Sequence, residues 1–128
     1  MKLLLLGADG QLGTDISAAV DRAGREFTLM PMTHVDLDVT DLEAIGSTIA
    51  GREFDALINC TSYHKTDEVE NNAQHAVTMN ALAVRELAKA CNKSNARFIH
   101  ISTDYVFDGR ANSPYTETRS EEHTSELQ

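Results

Sequence analysis

The chain has 128 residues, of which 41% are hydrophobic and 24% charged, and its formal net charge is −9. This is the size of one domain or part of one, with enough apolar content for a buried core. An acidic chain without basic runs argues against nucleic acid or an anionic membrane surface as partner. A nucleotide is not excluded, because helix N-termini and loop amides hold phosphate without a basic patch.

Leu3 to Leu6 is a continuous apolar run ended by Gly7, as expected of a strand buried on both faces of a parallel sheet. Gln11 to Ala23 follows with Leu12, Ile16, Ala19, Val20 and Ala23 at helical spacing, and Gly24 is placed to cap it. Glu26 to Met30 reads as a second strand stopped by Pro31. Asp38-Val39-Thr40-Asp41 leads into a short helix with Leu42, Ile45 and Ile49 on one face. Phe54 to Asn59 reads as a third strand. A long helix is expected from about Asp67 or Asn71 to Asn92, with Val77, Leu82, Val84, Leu87, Ala88 and Cys91 as its apolar positions. Arg97 to Ser102 reads as a fourth strand, followed by a loop rich in Asp, Gly, Asn, Ser and Pro.

Strands alternating with helices imply an α/β, doubly wound parallel sheet of the Rossmann type, cut after about the fourth strand. The expected strand order is 3-2-1-4. Ligands of such sheets bind at the carboxyl ends of the strands, here after Leu6, Asn59 and Ser102. The domain is expected over residues 1–118. Residues 119–128, Arg-Ser-Glu-Glu-His-Thr-Ser-Glu-Leu-Gln, have neither period and resemble the in-frame translation of a common sequencing adapter. On that reading they are a non-native tail; the alternative is a genuine polar tail.

Gly7-x-x-Gly10-x-x-Gly13 follows a strand and opens a helix, the context a dinucleotide-binding loop needs. Gly7 permits a tight turn, Gly10 lets backbone approach a pyrophosphate, and Gly13 lets the helix lie close to the strand. Asp9 is expected to shape the turn. Asp38 and Val39 are candidates for the adenine end, with Thr40 or Asp41 as the cap of the next helix. The end of the second strand, Met30-Pro-Met-Thr-His34, offers neither an Asp for a ribose hydroxyl nor an Arg for a 2′-phosphate, so NAD and NADP are both left open. Asn59-Cys60-Thr61-Ser62 would let a cofactor lie against backbone; a plain turn is the other reading. Ser102-Thr103-Asp104-Tyr105 leaves the fourth strand at the same mouth, where a hydroxyl could bond a substrate carbonyl; turn formation is the other reading. Asn80, within the long helix, is either solvated or bound to backbone so as to shape the site. The five histidines show no ligand spacing with cysteine, and no metal is expected. Cys60 and Cys91 read as reduced core or lining thiols, in a cytoplasmic protein with no signal peptide.

Together these residues resemble the extended short-chain dehydrogenase/reductases, and within them the dTDP-4-dehydrorhamnose reductase family. The matching stretches are Leu5 to Gly13, Leu37 to Asp41, Ile58 to Ser62 with Asp67 to Glu70, Asn80, Ile101 to Gly109, and Pro114 to Glu117. Ser-Thr-Asp-Tyr-Val-Phe-Asp-Gly is the most specific of them. The resemblance implies NADH- or NADPH-dependent reduction of a nucleotide-linked 4-keto sugar. It gives Thr103 a catalytic role and makes Gly7, Gly10, Gln11, Leu12, Asp38 and Val39 cofactor contacts. Gly13, Cys60, Thr61, Ser62 and Asn80 join them as candidate cofactor contacts, and Ser102 and Tyr105 as candidate substrate contacts. Cys60, Thr61 and Ser62 stand where the family is Ala-rich. The family's Tyr-x-x-x-Lys pair is absent from the chain; Tyr115-x-x-x-Arg119 is the nearest approach. The resemblance therefore implies the cofactor-holding part of a reductase, inactive by itself, with a homodimer as the form of the full protein. The competing readings are a non-catalytic dinucleotide-binding or regulatory subunit and a sugar-nucleotide epimerase or dehydratase relative.

Overall fold

A computed structural model of the chain describes residues 1–64, 66–69, 71–103, 107 and 109–116. Four parallel strands form one sheet: β1 (Lys2–Leu6), β2 (Thr28–Met32), β3 (Ala56–Asn59) and β4 (Arg97–His100). The helices between them are α1 (Gln11–Ala23), α2 (Leu42–Ile49), the short α3 (Thr66–Val69), α4 (Ala73–Val77) and α5 (Ala83–Lys93). The doubly wound α/β class is as expected, but the strand order is not. It is β2-β1-β3-β4, so the third strand pairs with β1 instead of lying beyond β2. The divergence between β1 and its two neighbours therefore falls between the Gly7 loop and Cys60, and β4 stands one strand further out.

β1 is the centre of the sheet because it can be buried on both faces. Leu3 to Leu6 are all at most 6% exposed. Leu4, Leu6 and Leu57 pack with Ile45 and Ile49 of α2 and with Ala83, Leu87 and Cys91 of α5 in one core. Leu3, Leu5 and Ala56 are buried on the opposite face. The in-register row Leu5, Ile58, Ile99 runs across that face from fully buried to 44% exposed.

Three local departures have physical causes. Pro31 lies inside β2 and does not stop it. Thr28 N–H donates to Met1 O, and Met32 O accepts from Gly7, so the even-numbered residues of β2 face β1. The missing N–H of Pro31 falls on the outer side of an edge strand, where no ladder bond is lost. In α1 the inward residues are Gly13, Ile16, Ser17 and Val20, while Leu12 is 42% exposed at the mouth and Ala19 is exposed. The long helix is broken. α4 passes into a π turn at Thr78–Leu82 before α5, and Ala76 faces inward where Val77 does not. The extra residue of such a turn rotates the side chains before it relative to those after it, so one uniform helical period does not fit the segment.

Candidate functional site

The glycine loop is built on two close approaches. Gly7 takes φ +74, a left-handed conformation that L side chains rarely adopt, and a Cβ there would lie 3.2 Å from the Cys60 carbonyl carbon. Its N–H and that of Ala8 both donate to Met32 O at 3.1 Å, tying the loop over the end of β2. Gly10 N–H donates to Gly7 O at 3.1 Å, closing the turn that carries Asp9. A Cβ at Gly13 would lie 2.1 Å from Gly7 O and 2.8 Å from the Ala8 Cα. Only glycine lets α1 start this near the strand.

α1 opens without a side-chain cap. Its first intrahelical bond runs from Thr14 N–H to Gly10 O at 2.9 Å. The amides of Gln11, Leu12 and Gly13 therefore point out of the helix end with its partial positive charge. Gln11 and Leu12 are exposed beside them. The set fits an anionic diphosphate: amide donors, no carboxylate hydrogen-bonded at the helix end among the described residues, and backbone bare of Cβ atoms at Gly7 and Gly10.

The facing wall is the segment after β3. Asn59 is fully buried, and its Oδ1 accepts from Thr61 N–H at 3.1 Å and Thr61 Oγ1 at 2.7 Å. Asn59 Nδ2 meets His100 Nδ1 at 3.2 Å. Two residues further along, Asn80 grips the wall from the π turn. Tyr63 N–H donates to Asn80 Oδ1 at 2.8 Å, and Asn80 Nδ2 donates to Tyr63 O at 2.9 Å. Of the two readings of Asn80, the backbone clamp is the one observed. Cys60 and Thr61 are half-buried and Ser62 is exposed, with its hydroxyl 3.3 Å from His64 Nδ1. Burial pushes the Cys60 thiol above its usual range and the Cys91 thiol up to about 11, so neither is an activated nucleophile.

Beyond β2, Thr33 N–H and Oγ1 bond the Asp36 carboxylate, and Thr40 N–H and Oγ1 bond that of Asp38. These bonds hold both carboxyls below the usual range, with Thr40 the first cause at Asp38. Asp38 is half-buried and keeps its charge, 3.9 Å from His34 Nδ1. Val39 is 3% exposed, with its side chain in the core. Asp41, not Thr40, caps α2, its Oδ1 accepting from Ala44 N–H at 3.1 Å.

Ser102 and Thr103 follow β4 and are exposed. Because of the strand order they neighbour the Asn59 wall and not the glycine loop. Tyr105 lies outside the described residues, as does Arg119. Tyr115 accepts from Ala111 N–H at 3.2 Å and stacks on Phe107 at 4.4 Å. Asn59 was read only as the head of the Asn59 to Ser62 segment, with no role for its side chain, and His100 was not a candidate by sequence. The available signals were a polar residue ending the apolar run Ala56 to Ile58 and a histidine between Ile99 and Ile101.

Among the described residues no group of three His, Cys, Asp or Glu could hold a metal, and no helix is long and apolar enough to cross a membrane. A surface depression of about 670 Å³ lined by Met1, Lys2, Thr28 and Glu53 lies at the amino ends of the strands. It is the wrong end of a doubly wound sheet for a ligand.

Known proteins are similar to this chain in sequence and fold. A dTDP-4-dehydrorhamnose reductase of Mycobacterium tuberculosis is 42% identical over 108 residues, covering 84% of this chain and 34% of that protein. One from Streptomyces griseus is 36% identical, covering 89% of this chain and 37% of that protein. The crystal structure of a dTDP-4-dehydrorhamnose reductase from Clostridium acetobutylicum superposes with a TM-score of 0.84 at 36% identity, over 91% of this chain and 41% of that one. A Bacillus anthracis dTDP-4-dehydrorhamnose reductase in complex with NADP gives 0.78 at 29% identity, over 86% and 39%. The chain thus spans little more than a third of the length of these relatives. The family described as RmlD substrate binding domain matches residues 1–125. By that match the chain belongs to the RmlD substrate binding domain family, alongside the dTDP-4-dehydrorhamnose reductases.

Proposed function

We propose that the chain is the cofactor-holding part of an NAD(P)H-dependent reductase acting on a nucleotide-linked 4-keto sugar, dTDP-4-dehydrorhamnose by family. The observation that carries this reading is the contact of Gly13 with Gly7 O, which sets an uncapped helix end at the switch point of a parallel sheet. The NADP named with the Bacillus anthracis relative supports it. The natural domain on this reading is residues 1–118, and residues 119–128 are a non-native tail.

In this reading the amides of Gln11, Leu12 and Gly13 hold the diphosphate, with Gly7 and Gly10 giving it access to backbone. Asp38, charged and turned by Thr40, lies toward the adenosine end. Cys60 to Ser62, held by Asn59 and Asn80, form the wall beside the nicotinamide half. A nicotinamide held there would supply the hydride. Thr103, exposed after β4, donates a hydrogen bond to the ketone oxygen, while Ser102 and Tyr105 contact the sugar nucleotide. A reductase must also deliver a proton to the forming alkoxide. The chain has no Tyr-x-x-x-Lys pair for that step. The 128-residue polypeptide is therefore expected to bind the cofactor without turnover.

Calorimetric titration with NADPH and NADH tests the first half of the proposal, and ketone-dependent NADPH oxidation the second. Absence of binding to either dinucleotide would refute the cofactor role. Turnover above buffer would refute the claim that the proton donor is missing.

A further inference from the structure

We propose that Asn59 and His100 form a positioning pair: His100 fixes the Asn59 amide, and the amide fixes the Cys60 to Ser62 backbone against the glycine loop. That the wall borders a cofactor rests on the function proposed above; the pair itself rests on geometry alone. Asn59 is the one buried polar side chain among the described core residues. Its orientation is dictated. Thr61 N–H can only donate, so the amide oxygen must face Thr61, and the amide nitrogen then faces His100. The nitrogen also can only donate. His100 Nδ1 must therefore be an acceptor, with the ring neutral and its proton on Nε2. Burial, the larger cause, holds the His100 ring below its ordinary range against the Asn59 backbone carbonyl, which raises it, and the net direction agrees with a neutral ring.

The geometry makes the pair more than a packing detail. Asn59 and His100 lie side by side in register across the two strands that carry the proposed wall and Thr103. Cys60 N–H donates to Leu6 O at 3.1 Å, so the wall also leans on the end of β1. Its carbonyl carbon is where a Cβ on Gly7 would collide. Asn59 secures this wall at Thr61 and Asn80 secures it at Tyr63. A slack Asn59 leaves the wall tied at its two ends, by Cys60 N–H to Leu6 O and by Asn80 at Tyr63, with Thr61 between them unheld.

Two variants separate the hydrogen bond from the bulk of the ring. His100→Leu removes the acceptor; His100→Asn places an amide oxygen near the position of Nδ1. Native-state hydrogen exchange at Thr61 should speed up about tenfold in His100→Leu and return to within about twofold of the parent in His100→Asn. NADPH affinity should follow the same pattern. Unchanged Thr61 exchange in a folded His100→Leu protein overturns the proposal. Should His100→Leu not fold, nitrogen NMR of the parent ring decides: a protonated Nε2 with a bare Nδ1 supports the pair, and the opposite tautomer overturns it. Normal exchange behaviour in a parent that binds no dinucleotide would refute the cofactor function and leave the pair standing.

Discussion

Two glycine-to-alanine substitutions, chemically identical, should have opposite effects. In Gly13→Ala the new methyl would lie 2.1 Å from Gly7 O, 2.8 Å from the Ala8 Cα and 2.9 Å from the Gly7 carbonyl carbon. All three are backbone atoms, so α1 or the loop must move. Overpacking of this kind costs up to about 3 kcal/mol. Alanine recovers about 1 kcal/mol of helix propensity, leaving a net loss of about 2 kcal/mol. At this chain length that is about 8 °C in Tm. In Gly46→Ala, within α2, nothing lies within 4 Å of the new methyl. Only the propensity gain of about 1 kcal/mol remains, raising Tm by about 4 °C. Thermal and urea unfolding of the two variants beside the parent measure both numbers. The difference, about 3 kcal/mol, isolates the contact between α1 and the loop, since propensity cancels. NADPH affinity should fall at least tenfold in Gly13→Ala and stay unchanged in Gly46→Ala. A Gly13→Ala protein as stable as the parent, binding NADPH equally well, would refute the claim that this approach builds the site.

Three further outcomes follow from the same structure. Asp41→Ala removes the cap on Ala44 N–H and should cost about 1 kcal/mol, while Asp41→Ser should recover most of it; equal urea midpoints for all three proteins would count against the cap. Stability should fall in two steps on acidification. His100 is neutral in the fold with its pKa below 6.5, so its contribution is complete above pH 6.5 and declines as pH falls beneath it. Asp36 and Asp38 have folded values below 3.8, so theirs is complete above about pH 4 and is lost as pH falls through those values. Urea midpoints from pH 8 to 3 would show both steps, and the upper one should be missing in His100→Asn; its persistence there would assign it elsewhere. Finally, with Cys91 buried at a pKa of about 11 and Cys60 raised by burial, neither thiol should react quickly with Ellman's reagent at pH 8 until the protein is unfolded. A fast native phase equal to one thiol would contradict that.

Where local chemistry decides structure, the sequence was easy to read. The apolar run ended by Gly7, the helix from Gln11 to Ala23 and its Gly24 cap are found as expected, because strand burial, helical spacing and a positive φ are local demands. The second strand was misplaced because Pro31 is harmless only on an outer side, and which strand is outermost is a property of the whole sheet. The order 3-2-1-4 failed for the same reason: nothing within Ala56 to Asn59 says which side of β1 it joins. In the long helix, the π turn that carries Asn80 broke the assumed period. At the site, the glycines and Asn80 were legible as chemistry in a motif. Asn59 was legible only as the head of the Asn59 to Ser62 segment; its bond to His100 was not, since it joins residues 41 apart.

The parallel register also bears on how this chain reaches its fold. No two neighbouring strands are close in sequence. Lys2 pairs with Thr28, Leu3 with Ala56, and Ala56 with Arg97. Each pairing closes a loop of some tens of residues, and the entropy of that closure is spent before any ladder forms. Folding should therefore be slow for a chain of this size, with α1 and β2 docking on β1 first because that closure is shortest. The same Leu3 to Leu6 segment serves both neighbours. Until β3 arrives, one side of the most apolar strand stays bare, and crowding in the refolding vessel should divert the chain at that stage toward association.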